Sequence, residues 1–436
     1  MNSNTPLHIG EKIRQIRVAK GLSQDNLAYA TGKSKAHISR LERGDSEIDD
    51  KTLVAMKEFL EISGAPLLEQ ELEVFKTRLW GWNELVHSKR TNKAKVLQDE
   101  LSLILSLPFE HDLIIIYKMI AARILLAERA SQAAEEYLSF VEDMLDKASE
   151  DALYLYYRVK GTFTSTTGDN KNALKHFLQA LEHSDNALRP DIQLVFIIGN
   201  TYLVNGIPIM AMTYLERFIR EYEGDITLPI MDHACNSLGV CYITLGYYEN
   251  AKNLFQSSLV RARSYGNQKH LGLLLSNLGL ISSRMGDYEA GIKFIDEALP
   301  YLQISETRRD LHINALLIKA RCLAMQNKRK RCEEILTQCR GLTKKEEYNK
   351  FTVMIEAAYY RLIAPKDDEA IEYLESVALP YYMDLGIFHI ISVLEICGTL
   401  EALYLKRGAV RKADAIVRIS RDVYRGIVYG GGGLGL

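Results

Sequence analysis

The sequence lacks the cysteine and histidine spacings from which metal sites and disulfide frameworks are built. It has 436 residues and six cysteines, none in a CxxC pair and none at a paired spacing with histidine. We therefore expect no metal site, no disulfide framework and no cofactor, and we expect reduced, mostly packed thiols. The cysteines are Cys235, Cys241, Cys322, Cys332, Cys339 and Cys397.

Targeting segments and catalytic signatures are missing as well. The first residues lack the apolar core of a signal peptide, and no run approaches the length of a membrane span. We therefore expect a cytoplasmic protein without membrane attachment. There is no P-loop, no nucleophile elbow, no HExxH motif and no convincing pair of acids, so we expect no enzyme and no catalytic residue.

Charge is distributed unevenly along the chain. The net charge is −2, yet residues 1–43 contain eight Lys or Arg and only three Asp or Glu. This front segment therefore carries +5 and the remaining residues carry −7. Such asymmetry predicts that a polyanion binds the front only. The length predicts two or more domains, or a repeat array.

Four short helices are predicted at the front of the chain. The first contains Ile9, Ile13 and Ile16 at helical spacing and ends at Gly21. Serine caps predict the starts of the next two helices, and glycines follow their ends. The predicted features are Ser23 before a helix from Gln24 to Thr31, Gly32 in the turn, Ser34 before a helix to Arg43, Gly44, and a fourth helix from Asp49 or Asp50.

The segments IGEKIRQIRVAKGLSQDNLA and ISRLERG resemble the helix-turn-helix domain of the Cro/repressor (XRE) family over about 55 residues. The resemblance implies that the third helix enters the DNA major groove. Bases would be read by Lys35, Ala36 and Arg40, flanked by Ser34 and His37, while Gln24 and Arg43 would hold phosphates. It also implies an ion pair between Arg17 and Glu42. Specific binding to DNA normally needs two helix-turn-helix domains, one on each half-site, so the resemblance implies a homodimer or higher homo-oligomer.

The rest of the chain repeats with a period near 40 residues. Gly161, Gly199, Gly239 and Gly279 are spaced 38, 40 and 40 residues apart, and each is followed seven residues later by another glycine. A small residue follows twelve positions after each of the four glycines, and a large apolar one sixteen positions after. We predict that the first glycine lies at a close crossing of two helices and that the second ends a helix.

The segments NSLGVCYITLGYYENAKNLFQSSL and SNLGLISSRMGDYEAGIKFIDEAL resemble tetratricopeptide repeats with lengthened helices. The resemblance implies an all-α fold in which stacked helical pairs form a right-handed superhelix with a concave inner surface. The expected domains are a helix-turn-helix domain at 1–63, a linker with a first helical pair at 64–110, the superhelix at 111–428, and a flexible Gly-rich tail at 429–436. The alternative for the tail is a tethered pseudo-ligand formed by Leu434 and Leu436. The KRKR cluster at 328–331 is expected to be a solvated inter-helix loop, or else a secondary nucleic-acid contact.

The first helix of each repeat is expected to line the concave surface. Recurring asparagines there suit pairing with the backbone of an extended peptide, although amides bridging neighbouring helices would use the same residues. Arg123 and Arg158 would meet an acidic side chain or a terminal carboxylate. The predicted peptide-binding residues are Arg123, Arg158, Gln193, Phe196, Asn200, His233, Asn236, Asn277, Asn314, Arg321 and Tyr359.

Together the two segments resemble the Rap, Rgg, NprR, PlcR and PrgX group of peptide-pheromone receptors of Gram-positive bacteria, and are most similar to its NprR branch. This implies a quorum-sensing transcriptional regulator that binds operator DNA and a short signalling peptide, and whose shape and pairing change with the peptide. Some relatives instead sequester or dephosphorylate a response regulator through the region at about 69–110, where Gln70 and Gln98 have no matching context. A DNA-binding scaffold whose groove takes a protein tail is a third alternative.

Overall fold

A computed structural model describes residues 7–87, 91–186, 191–222, 229–302, 309–343, 350–363, 366–385 and 389–429. These ranges contain helices and no β-strand, which confirms the predicted all-α fold. The chain divides into two units, Met1–Pro190 and Asp191–Leu436. Among the described residues no helix is both long enough and apolar enough to traverse a bilayer. Of the tail predicted at 429–436, residue 429 is the last residue of the final described helix, and residues 430–436 lie outside the described residues.

The first unit contains ten α-helices within its described residues. They are α1 (Ile9–Ala19), α2 (Gln24–Thr31), α3 (Lys35–Arg43), α4 (Asp50–Phe59), α5 (Glu69–His87), α6 (Thr91–Leu101), α7 (His111–Ala127), α8 (Ser131–Glu142), α9 (Glu150–Thr166) and α10 (Asn170–Asn186). Short 3₁₀ segments follow α6, at Ser102–Ser106, and α8, at Leu145–Lys147.

The second unit continues the succession of helical pairs. Its helices are α11 (Ile192–Val204), α12 (Pro208–Glu221), α13 (Pro229–Thr244), α14 (Tyr248–Ser264), α15 (Gln268–Arg284), α16 (Tyr288–Leu302), α17 (Arg309–Met325), α18 (Arg329–Gly341), α19 (Lys350–Leu362), α20 (Asp367–Tyr373), α21 (Leu379–Asp384), α22 (Ile390–Lys406) and α23 (Val410–Tyr429). One π-helical turn, Leu374–Ala378, joins α20 to α21.

Local capping chemistry sets the ends of α2 and α3. The Ser23 side chain accepts a hydrogen bond from the Asn26 amide, and Ser34 accepts one from the His37 amide. Gly32 and Gly44 end the two helices with φ of +66° and +79°, a region that costs other residues strain. The predicted bounds of both helices are confirmed.

Two buried charged groups tie the front helices together and to the rest of the first unit. Arg17 donates from Nε and Nη2 to the two carboxylate oxygens of Glu42, at 2.6 and 2.9 Å, so the implied ion pair is present. Lys12, 8% exposed, donates to the Leu67 carbonyl at 2.9 Å and lies 3.4 Å from Glu110. A buried ammonium needs such partners, so α1 is held against the segments that precede α5 and α7.

Close helix crossings occur at the predicted glycines of the repeats. A Cβ atom added at Gly239 of α13 would clash with the Phe255 ring of α14, and one at Gly279 would lie 2.6 Å from Ile295 Cδ1. Gly246 ends α13 with φ of +80°. The glycine and the large apolar residue sixteen positions later therefore fit each other across a helical pair, as predicted.

Gly239→Ala is expected to destabilise the second unit by about 1–3 kcal/mol, because a methyl group overpacks the contact with Phe255. Calorimetry of the full chain measures the effect as a fall in the Tm of the transition in which the second unit unfolds. Gly398→Ala is the matched control in the same unit, since a Cβ there meets nothing within 4 Å. Alanine in the interior of α22 should stabilise by roughly 0.5–1 kcal/mol. Equal Tm shifts for the two variants would contradict the close crossing.

The last two helices pack back onto earlier helices of the second unit. Val393, Ile396 and Leu400 of α22 lie in an apolar cluster against which Leu245, just after α13, is packed. Ile391 of α22 packs against the cluster built by α13 to α17, and α23 contacts α12. The C-terminal pair therefore contacts helices of several earlier pairs in the second unit.

Two further predictions are settled by the helix bounds and burial. All six cysteines are free thiols and buried, as expected, and burial raises the pKa of Cys241 to about 12. The KRKR cluster is exposed, but it does not form a loop: Lys328 caps α18 and Arg329 begins it. The prediction of a loop was wrong because α18 begins inside this cluster, and basic residues are tolerated in the first turn of a helix when they are exposed to solvent.

Candidate functional site

The N-terminal part of α3 presents basic side chains to solvent. Lys35, Ala36 and Arg40 are exposed, whereas His37 is half-buried. The Lys35 ammonium lies 2.7 Å from the Asp25 carboxylate of α2. Among the described residues no carboxylate pairs with Arg40, so its guanidinium retains all its donors. Arg40 is therefore the basic group of α3 best placed to bind an external acceptor.

The predicted phosphate-binding residues flank α3 and are held by acidic neighbours. Gln24, the first residue of α2, donates from Nε2 to Glu42 at 2.8 Å, the same carboxylate that binds Arg17. Arg43 is exposed and donates to Asp45 at 2.8 Å. The Ser34 hydroxyl accepts the capping bond of α3, which leaves its proton available for donation. Glu42 thus orients both α1 and the start of α2 relative to α3.

Asparagines of successive first helices are linked by hydrogen bonds in the second unit. Asn277 of α15 donates from Nδ2 to Asn236 Oδ1 of α13 at 3.2 Å, and Ser237 donates to Asn200 Oδ1 of α11 at 3.1 Å. The bridging role left open by the sequence is therefore real. All three asparagines are only half-buried, and within the described residues the Nδ2 groups of Asn200 and Asn236 make no hydrogen bond. We call Asn200, Asn236 and Asn277 the asparagine row.

The other predicted peptide-binding residues are distributed over both units. In the first unit, Arg123 donates to Asn83, and Arg158 is only 4% exposed. Burial leaves the Arg158 guanidinium almost no surface for a ligand, which argues against its predicted role. In the second unit, Gln193 and Asn314 are half-buried and His233 is exposed.

Two predicted aromatic residues serve internal packing in the second unit. The Phe196 ring lies 5.4 Å from that of Phe218, and the Arg340 guanidinium lies 4.7 Å from the centre of the Tyr359 ring. Arg340 is in turn paired with Glu356 at 2.7 Å. Both rings, which the sequence predicts to bind the peptide, are therefore engaged in contacts within the protein.

The sequence patterns do not predict a half-buried charge cluster in the second unit. Glu395 of α22 contacts Arg284 of α15 at 2.5 Å, Arg321 of α17 at 3.4 Å, and Arg361 of α19. Burial raises the pKa of Glu395, but Arg361, Arg284 and Arg321 together outweigh it and hold this pKa below its usual value. Arg321 also donates to Ser283 Oγ at 2.9 Å. We call these four residues the arginine–glutamate cluster.

One sequence signal could have pointed to this cluster. Arg284, Arg321 and Arg361 are spaced 37 and 40 residues apart, which is the period of the repeat. Nothing local marks Glu395 as their partner, because α22 reaches α15 only after the chain folds back. In the described part of the chain, no group of His, Cys, Asp and Glu side chains could hold a metal ion.

Comparisons with known proteins agree with this architecture. Residues 13–67 match the helix-turn-helix family and residues 232–264 match the tetratricopeptide repeat. No curated protein matches the chain. Among solved structures, the apo form of the quorum sensor NprR from B. thuringiensis has a TM-score of 0.63 at 18% identity, covering 81% of this chain and 99% of that one.

The chain has the fold of NprR. A second structure, NprR in complex with its cognate peptide NprX, gives a TM-score of 0.55 at 17% identity and covers 82% of this chain and 99% of that one. Aspartyl phosphate phosphatase F from Bacillus subtilis gives 0.54 at 16% identity, covering 83% and 96%. At these identities the likeness establishes the fold, so the roles of individual residues rest on their geometry.

Proposed function

We propose that this protein is a peptide-responsive transcriptional regulator in the cytoplasm. Residues 1–63 bind operator DNA, and residues 111–428 bind a short signalling peptide in extended form. The observation that carries the proposal is the exposed basic start of α3, held on an NprR-like fold whose asparagine row keeps unused amide donors. NprR itself has been solved with a cognate peptide.

The helix-turn-helix part reads DNA through α3. Arg40 and Lys35 donate to guanine O6 and N7 or to phosphates, and the small Ala36 lets the helix backbone approach a thymine methyl group. Ser34 and His37 flank these contacts, while Gln24 and Arg43 donate to phosphates and set the register. The helix-turn-helix domains of two protomers in a homo-oligomer are needed to cover two half-sites that lie about one turn of DNA apart.

The asparagine row binds the peptide backbone. An extended peptide presents alternating carbonyl and amide groups, and a side-chain amide can meet both. A hydrogen bond between Asn277 and Asn236 already joins α15 to α13. A peptide bound along the row would contact both helices and so add further contacts between neighbouring repeats. The peptide then favours one arrangement of the repeats, which changes how protomers pair and how two heads fit the operator.

A selection experiment tests both binding activities. Full-length protein selects duplexes from a random DNA pool, and the affinity for the selected duplex is measured with and without a pool of random heptapeptides. We expect one dominant DNA motif and a peptide-dependent change in affinity. Identical affinity with and without every peptide fraction would discard the peptide switch, and absence of any selected motif would discard the DNA-binding role.

Asn236→Ala is expected to weaken binding of the selected heptapeptides about 10- to 100-fold, because it removes an amide that bridges to Asn277 and faces the ligand. Affinity for DNA in the absence of peptide should not change. Asn253→Ala is the matched control, since Asn253 is exposed on α14, the second helix of the same pair. Equal peptide affinity in both variants, measured by isothermal titration calorimetry, would remove the row from the binding site.

The fold of aspartyl phosphate phosphatase F supports a second candidate, binding or dephosphorylation of a response regulator through residues 69–110. Gln70 is exposed on α5, whereas Gln98 on α6 is half-buried. The backbone carbonyl of Gln98 accepts a 3.4 Å hydrogen bond from the Tyr117 hydroxyl. Stable retention of a phosphorylated response regulator on the full chain would favour this function. A scaffold that binds a protein tail would retain neither heptapeptide nor response regulator.

A further inference from the structure

The arginine–glutamate cluster carries more positive than negative charge in a protected place. Its four side chains are between 14% and 23% exposed, and three guanidiniums converge on one carboxylate. Within the described residues no second carboxylate pairs with Arg284, Arg321 or Arg361. Charges removed from water need counter-charges, so an excess of two guanidiniums is a costly arrangement.

The hydrogen-bond geometry of the cluster is also incomplete. The Nε atoms of Arg284 and Arg361 are buried without a hydrogen-bond partner, and so is Glu395 Oε1, although Arg284 Nη1 is close to it. Burial lowers the pKa of Arg284, and the neighbouring Arg321 and Arg361 lower it further. A single glutamate therefore leaves donors of the cluster unsatisfied, and a second carboxylate would satisfy them.

The cluster lies on the same helix faces as residues of the predicted groove. Arg284 follows Asn277 by seven residues, and Arg321 follows Asn314 by seven, so each pair is separated by about two helical turns. Seven residues of helix correspond to about 10 Å, the length of about three residues of extended peptide. A peptide whose chain leaves the asparagine row at Asn277 and continues along α15 therefore reaches the arginines with a group about three residues further on.

We propose that the arginine–glutamate cluster is a carboxylate-binding subsite of the peptide groove and that Glu395 is its intramolecular occupant. An acidic side chain or the C-terminal carboxylate of the peptide competes with Glu395 for the three arginines. This inference rests on the proposed peptide-binding function and specifies the chemistry of its ligand. Because Glu395 lies on α22, competition at the subsite also loosens the C-terminal pair from α15, α17 and α19.

Removal of the internal carboxylate tests the competition. Immobilised full-length protein is incubated with a pool of random heptapeptides, and retained peptides are quantified by mass spectrometry. Glu395→Gln is expected to raise retention of peptides with an acidic residue or a free C-terminal carboxylate about tenfold over wild type. The same peptides with Asn, Gln or a C-terminal amide in place of the acid should show no gain. The matched control is Glu356→Gln, which breaks the pair with Arg340 on α18.

A second variant guards against misfolding of the first. Arg321 is the most exposed arginine of the cluster and the farthest from Glu395, so Arg321→Gln should keep its helical circular dichroism. It should reduce the preference for acidic over amide peptides about tenfold. If peptides are retained but neither variant changes this preference, the subsite is overturned while the proposed function stands. If wild type and both variants retain no peptide at all, the proposed function itself fails.

Discussion

Arg40→Ala is expected to reduce the affinity of the full-length protein for its selected duplex by about 30-fold or more. Loss of one well-placed arginine contact to a base costs about 1–3 kcal/mol, and the homodimer proposed above would lose this contact at both of its half-sites. Arg40 is exposed and, among the described residues, has no paired carboxylate, so the substitution disturbs no internal contact. Fluorescence anisotropy at one fixed salt concentration measures the change.

A charge-matched control separates base reading from general attraction of a basic surface to DNA. Arg14 is also exposed, on α1, and is paired with Glu11 at 3.2 Å. Arg14→Ala removes the same charge and should change affinity only a few-fold, as expected of a distant surface charge. If Arg14→Ala weakens binding as much as Arg40→Ala, or if neither variant weakens it, α3 is not the reading helix. Peptide retention should be unchanged in both variants.

Glu42→Ala is expected to destabilise the helix-turn-helix part by about 3 kcal/mol or more. The substitution leaves the buried Arg17 guanidinium without a counter-charge and removes the acceptor of Gln24, and breaking one partner of a buried pair costs this much. Hydrogen exchange is the suitable measurement, because a chain of two units has no single unfolding free energy. Amides of α1, α2 and α3 should exchange about 100-fold faster, while those of α13 to α16 are unchanged.

Glu11→Ala supplies the comparison for this buried pair. Glu11 pairs with Arg14 at the surface of the same helix, where an ion pair contributes about 0–1 kcal/mol. Exchange in α1 should therefore change at most a few-fold. Similar protection in Glu42→Ala and Glu11→Ala would mean that the core of Ile13, Ile16, Leu27, Ile38 and Leu41, all nearly fully buried, holds these helices without the ion pair.

Helix ends and repeat crossings could be predicted because they depend on chemistry that lies close in the sequence. A serine that accepts a hydrogen bond from the amide three residues later, or a glycine in the left-handed region, involves residues within one helical turn of each other. The fit of Gly239 to Phe255 spans one helical hairpin, sixteen residues long. The ion pair of Arg17 with Glu42 was available only from the family resemblance, since 25 residues separate the two side chains.

The contacts of the predicted peptide-binding residues could not be predicted in the same way. The sequence placed Arg158, Phe196 and Tyr359 on a ligand-facing surface, but it has no measure of how closely neighbouring repeats approach. Burial of Arg158 and the ring contacts of Phe196 and Tyr359 depend on that approach. The same applies to the amide bond between Asn236 and Asn277, because an asparagine on a helix face suits a ligand and a neighbouring helix equally well.

Capping and periodic packing are local, so the sequence alone predicts the helices of the described residues, the helix-turn-helix at the front of the chain and the positions at which the repeats cross. In contrast, the burial of Lys12 against the Leu67 carbonyl depends on the three-dimensional fold, and so do the contacts of Glu395 of α22 with arginines of α15, α17 and α19. These contacts join residues from 34 to 111 positions apart. Their formation depends on how successive helical pairs curve, which no local pattern encodes.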